Sequence, residues 1–232
     1  MARPIAFAVA TVAALLIAPV AKASPILGQI DTFTDGTTDS WTNGPAPDPV
    51  NTLGGPDGPT DRFLMLTATG SPGPGGRLTV FNRLQWSGDY LAAGVDEIAM
   101  DLKNFSHSQL EIRVAFKSSL ARTSPGVVSL GFILPVDGLW HHAVFLIDAP
   151  DLIGLNGGTA ATVLPSVAEM RIINSASPNL NGDVIVGQLG VDNISAVPAT
   201  TVPEPASLIL LATTGVAMHV RRQLRKRRVG RM

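Results

Sequence analysis

The side chains that can do chemistry fall into four groups. Oxygen donors gather at Asp31, Thr34 and Asp35, and again in Gly190-Val191-Asp192-Asn193-Ile194. Ca2+ takes roughly six to eight hard oxygens from carboxylates and carbonyls. If the first and last strands are neighbours, Asp192 meets Asp31 or Asp35 around a structural calcium. The competing role for these residues is in turns and strand edges, where Asp is common. No linear EF-hand loop is present. The second group is His141-His142, with His107 apart. On a strand, adjacent side chains point to opposite faces, so the pair cannot share one metal. His142 falls on the face of Trp140 and Val144 and reads as a partly buried structural histidine.

The third group is carboxylates for glycoside hydrolysis, which needs two of them flanking a sugar bond. The body offers Glu97, Glu111 and Glu169 besides many turn Asp residues. Glu111 and Glu169 fall at outward positions, but nothing singles out a pair. There is no G-x-S-x-G elbow and no H-E-x-x-H. Gly73-Pro74-Gly75-Gly76 lacks a following helix and reads as a turn, not a phosphate cradle. The fourth group is aromatic. Trp41, Trp86, Tyr90 and Trp140 offer flat faces for stacking on sugars. Trp86 and Tyr90 flank the polar turn Ser87-Gly88-Asp89 and are the expected exposed, ligand-binding pair. Trp140 lies within a strand and fits the core.

The elements that must position these groups are strands. Gly 23 and Pro 18 among 232 residues suit a many-stranded domain. Leu110 to Lys117 alternates most clearly, with Leu110, Ile112, Val114 and Phe116 inward and Glu111, Arg113 and Lys117 outward. Strands are also predicted over Ile26 to Phe33, Arg62 to Thr69, Arg77 to Phe81, Glu97 to Lys103, Val127 to Leu134, Leu139 to Ile147, Val167 to Asn174 and Val184 to Ile194. Asp148 to Leu155 reads as one helical turn. Gly44 to Thr60 is dense in Pro, Gly and Asp and cannot form a central strand, so it reads as a long surface loop. About ten short strands spaced by turns predict an all-β fold, an antiparallel β-sandwich of the jelly-roll kind, over residues 24–198.

Charge divides the chain. The formal net charge is −1, but seven of the 17 Lys+Arg sit in the last dozen residues and two more, Arg3 and Lys22, near the start. The eight that remain face 18 Asp+Glu lying between Asp31 and Glu204, so the body is near −10. An acidic body argues against nucleic-acid binding, whose phosphates need a basic face. There are no cysteines, which excludes disulfides and thiolate chemistry.

Residues 1–23 have a basic start, an apolar run from Ile5 to Val20 and the triplet Ala21-Lys22-Ala23, the pattern of a secretory signal peptide. Residues 199–232 begin with Val202-Pro203-Glu204-Pro205. A 15-residue apolar run follows, Ala206 to Val220, about 22 Å long as a helix and short for a bilayer. Then comes a basic stop of Arg221, Arg222, Arg225, Lys226, Arg227 and Arg228. Snorkelling arginines extend the reach, and the positive end stays cytoplasmic.

Val202-Pro203-Glu204-Pro205, the short apolar helix and the Arg-rich end resemble the C-terminal sorting signal of PEP-CTERM proteins. These are exported proteins of Gram-negative bacteria that also make extracellular polysaccharide. The resemblance implies recognition by an exosortase, a membrane protease that cleaves near Pro203-Glu204-Pro205, and transfer from a transient membrane anchor to the cell surface or matrix. The Asp31-Thr-Phe-Thr-Asp35-Gly36 start and the Gly190-Val191-Asp192-Asn193-Ile194 end are similar to jelly-roll carbohydrate-binding modules, some with a structural calcium near those positions. The expectation is an exported, non-catalytic protein that binds or organises extracellular polysaccharide. The alternatives are a secreted glycan-active hydrolase and a self-associating matrix protein.

Overall fold

In the computed structural model, residues 24–44, 47–73 and 75–198 are described. The predicted signal peptide and the whole sorting segment, with Val202, Pro203, Glu204, Pro205, Arg221, Arg222, Arg225, Lys226, Arg227 and Arg228, lie outside the described residues. The described chain is all-β, two antiparallel sheets face to face. The first sheet runs in the order β2 (Val50–Leu53), β3 (Arg62–Thr69), β12 (Val186–Val197), β5 (Glu97–Asn104), β9 (Trp140–Leu146), with β1 (Ile30–Asp31) also on β12. The second runs β10 (Leu152–Leu155), β7 (Gly126–Ser129), β6 (Leu110–Lys117), β11 (Glu169–Asn174), β4 (Thr79–Asn82), with β8 (Phe132–Leu134) also on β6.

Period-two patterning explains the core. Leu64 and Leu66 of β3, Met100 and Leu102 of β5, and Leu189 and Val191 of β12 face Ile112, Val114 and Phe116 of β6 and Met170 and Ile172 of β11. Each such side chain, once buried, contributes about 1.5–3 kcal/mol. Strands β3 and β6 match the predicted spans. The run Val127 to Leu134 is not one strand but two, β7 and β8, parted by exposed Leu130 and Gly131. The Pro/Gly-rich loop hides β2, which is tolerated there because it is an edge strand with β3 as its partner. The predicted helical turn at Asp148 is a short 3-10 turn, Ala149–Asp151, that leads directly into β10. The predicted strand Ile26 to Phe33 shrinks to Ile30–Asp31.

Two local features position the site. Between Asp192 and Ser195 the register of β12 on β5 slips by a bulge, and Asn193 there has φ 51. Before the bulge β12 pairs with β3, and after it with β1. The polar turn Ser87-Gly88-Asp89 is a helix start. Asp89 accepts the Ala92 N–H at 2.9 Å and caps α1 (Tyr90–Ala93), which Gly94 ends with φ 69. That short helix turns Tyr90 into the core.

Candidate functional site

The outward residues of the first sheet form cross-strand rows. One row reads Met65, Gly190, Lys103, Trp140 across β3, β12, β5 and β9. The next reads Asp192, Asp101, His142. Gly190 is the hub of the first row. A Cβ on it would meet Phe105 at 2.9 Å, Trp140 at 3.0 Å and Phe63 at 3.1 Å. Three rings therefore converge over a residue with no side chain. Phe63 stacks on Phe105 (centroids 5.7 Å apart, planes at 6°) and takes Trp140 edge-on at 5.1 Å. Phe63 is 2% exposed and forms the floor, whereas Phe105 is 37% exposed and Trp140 is half-buried. Lys103 places its Nζ 5.1 Å from the Phe105 ring and 6.0 Å from the Trp140 ring, a cation held on the aromatic platform.

Beside the rings is a polar group. Asp101 pairs with His142 Nδ1 at 2.9 Å through Oδ1 and accepts Asn193 Nδ2 at 2.7 Å through Oδ2. Asp192 accepts the Asn193 backbone N–H at 2.7 Å. Burial pushes the Asp192 carboxyl up to about 7, against the pull of that N–H, and the charges of Asp61, Asp101 and Asp57 add to the rise. At the rim Gln188 donates to Thr67 at 3.2 Å. Aromatic edges and faces flanked by carboxylate, imidazole and amide groups are the means by which proteins hold sugars: rings cover the apolar C–H face, and polar groups take the hydroxyls.

The structure redistributes the predicted site residues. Trp86 and Tyr90 are both fully buried and cannot stack on a ligand. Trp86 donates its indole N–H to Asp31 Oδ2 at 2.6 Å, and Trp41 donates to the same oxygen at 2.7 Å. Tyr90 donates to the Trp86 carbonyl at 2.9 Å and meets Phe116 edge-on. Asp31 is thus a buried tie for two indoles. Burial raises its carboxyl pKa, opposed by the two indole donors. Asp35 turns to Thr37, whose N–H and hydroxyl both reach it at 2.8 Å and hold its pKa low. Asp192 belongs to the outer face, whereas Asp31 points into the core. The three are not drawn together, and among the described residues no group of three or more His, Asp or Glu side chains could hold a metal ion.

Trp140 and His142 reverse the expectation too. They share a face, as read, but it is the outer one, and the His142 side chain is 63% exposed. The inward residues of β9 are Ala143 and Phe145. His141 pairs with Asp137 at 2.9 Å instead. Glu111 and Glu169 do not form a hydrolytic pair. Glu111 is held by Arg113, and Glu169 is fully buried among cations. Phe63, Lys103 and Phe105 are not singled out by the sequence, and Gly190 is only as part of the Asp192 segment, not as the point where the rings meet. The available signal was Lys103 on the polar side of β5, which places its cross-strand partner outward as well.

No family model matches this sequence, and no curated protein matches it. Among solved structures, the sandwich is similar to part of an exo-β-agarase, with TM-score 0.51 and 10% identity over 74% of this chain and 25% of that one. This chain spans about a quarter of that enzyme. Its fold is shared with that protein. A family 11 carbohydrate-binding module from Clostridium thermocellum, in complex with a β-1,3-1,4-mixed-linked tetrasaccharide, aligns with TM-score 0.45 and 15% identity over 75% of this chain and 97% of the module. A carbohydrate-binding module specific for non-crystalline cellulose aligns with TM-score 0.44 and 12% identity over 77% and 99%. At 10% identity the likeness to the agarase segment concerns the fold alone.

Proposed function

We propose that this protein is a non-catalytic polysaccharide-binding protein whose ligand lies on the outer face of the first sheet. The observation that carries the reading is the convergence of Phe63, Phe105 and Trp140 over Gly190, with Lys103 on the rings and Asp101, His142 and Asn193 alongside. Phe105 and Trp140 cover the sugar rings, and the Asp101 group receives hydroxyls. The rest of the reading rests on sequence: export by the signal peptide, a transient membrane anchor, and processing near Val202-Pro203-Glu204-Pro205 by an exosortase-type protease on the way to the cell surface or matrix.

One observation favours a hydrolase: the Asp192 carboxyl, raised by burial to about 7, stands beside the Asp101 carboxylate, and a raised carboxyl can serve as a general acid. Against it, Asp192 is only 1% exposed and cannot reach a glycosidic oxygen. Glycan arrays and titration calorimetry on the full chain test the binding reading. Trp140→Ala should weaken binding about ten-fold, the equivalent of one lost stacking contact of roughly 1.5 kcal/mol. Retention of no glycan, or equal affinity in that variant, would overturn it. Sugar release abolished by Asp192→Asn would establish the hydrolase instead. The mass of the mature protein tests processing, since a product intact to Met232 contradicts it.

A further inference from the structure

The outer face of the second sheet carries a charge imbalance of the opposite sign. Glu169 of β11 lies opposite Lys117 of β6, and Arg83 follows β4 on its other side, so Arg83, Glu169 and Lys117 form one cross-strand row. Arg83 Nε donates to Glu169 Oε2 at 2.6 Å, Lys117 Nζ stands 3.9 Å from Oε1, and Arg171 Nε donates to Oε1 from the next row. Both guanidinium groups lie over the Phe81 ring, at 4.2 and 5.6 Å. Three cations thus share one carboxylate. Among the described residues, Arg171, Glu169 and Arg83 are the charges that bear on Lys117, two cations against one carboxylate.

The cations are also unequally used. Arg171 spends Nη1 on the Leu180 carbonyl and Asn181 Oδ1. Arg113, nearby on β6, is matched by Glu111 and by the carbonyls of Ser175 and Ser129. Among the described residues, by contrast, Arg83 commits only Nε, and no acceptor lies within hydrogen-bond distance of Lys117 Nζ. The Lys117 side chain is only 5% exposed. Yet no fully buried side-chain nitrogen among the described residues lacks a partner, so this Nζ keeps a window to solvent. A nearly buried ammonium without an acceptor is costly. In a body with a large excess of acid, two surplus positive charges are gathered at one spot.

We propose that Lys117, Arg83 and Arg171 form a binding site for a single oxyanion, a carboxylate or sulfate group such as acidic sugars carry. The anion bridges the free Nη atoms of Arg83 and the Lys117 ammonium and balances the surplus charge over Glu169. This site lies on the other sheet from the aromatic face and does not depend on it.

The test is the melting temperature of the full chain in sodium sulfate, sodium glucuronate and sodium chloride at matched ionic strength. A saturable rise of about 3–5 °C over chloride is expected at ten times the dissociation constant. Saturation in sulfate alone assigns the site to sulfate esters, and saturation in glucuronate alone assigns it to uronates; either supports the site. Arg83→Gln, at a half-exposed side chain, should fold and lose affinity at least ten-fold. Lys117→Met should do the same if it folds. The general salting-out effect of sulfate does not saturate and survives both changes. No saturable rise with either oxyanion, or an undiminished rise in Arg83→Gln, overturns the proposal.

Discussion

Replacing Asp192 with Asn should stabilise this protein at neutral pH. The Asp192 carboxyl is raised from 3.8 to about 7, first by burial and then by Asp61, Asp101 and Asp57. A rise of about three units is worth roughly 4 kcal/mol of unfavourable ionisation in the folded state. Solvent screening and local relaxation reduce this to about 2 kcal/mol. Asn keeps an acceptor for the Asn193 N–H, so the bulge retains its hydrogen bond. The sign follows from proton uptake. Between about pH 4 and pH 7 the folded protein holds a proton that the unfolded chain has shed. Wild-type stability is therefore highest at the acid end of this window, falls as pH rises to about 7, and is flat above it. Urea unfolding at pH 5 and pH 8 reads both effects. With a slope of roughly 2 kcal/mol per molar urea, Asp192→Asn should move the midpoint at pH 8 up by about 1 M and flatten the fall between the two pH values. Part of the fall should remain, because the Asp31 carboxyl is also raised. A variant no more stable than wild type at pH 8, or one with an unchanged pH slope, would refute the reasoning.

Three further substitutions probe the packing. Gly190→Ala forces a Cβ against three rings at 2.9–3.1 Å; a loss of about 1–2 kcal/mol in chemical unfolding, with weakened glycan binding, is expected. Trp86→Phe removes one of the two indole donors to Asp31 and should cost about 1–3 kcal/mol by thermal unfolding. Glu169→Gln leaves three cations around a neutral amide and should cost about 3 kcal/mol or more, whereas a stability equal to wild type would show that the network contributes little.

Much of the sandwich was legible because one-sided burial writes alternation into the sequence. Leu110 to Lys117 and Arg62 to Thr69 are strands over those spans. Glu111, Arg113 and Lys117 lie on the outward side of β6 as expected, but Leu180 packs on part of that face and builds a small second core with Ala115, Val128 and Ile173. Coverage by a distant loop leaves no local signal. The aromatic residues inverted for a similar reason. Trp86 and Tyr90 adjoin polar residues, yet those residues cap a helix and form turns, and the acceptor for Trp86 is Asp31, 55 positions away. Trp140 sits on β9, where Val144 and Leu146 make the outer face as apolar as Ala143 and Phe145 make the inner one. Periodicity cannot choose between two apolar faces. The register of Lys103 against Trp140 chooses, and it exists only in three dimensions.

The position of β12 bears on when the protein can fold. It lies between β3 and β5 and also holds β1, so three separate parts of the first sheet meet only through the strand that comes last among those described. Until residues 186–197 are available, β2–β3 and β5–β9 are two separate hairpin-like pieces with open edges. Closure of the first sheet is deferred to the final step, whereas the second sheet does not include β12; the late long-range pairing slows completion of the fold. On the export proposed above, which threads the chain through a membrane channel before it folds, such a delay is an advantage: the strand that locks the first sheet emerges after almost everything it must join.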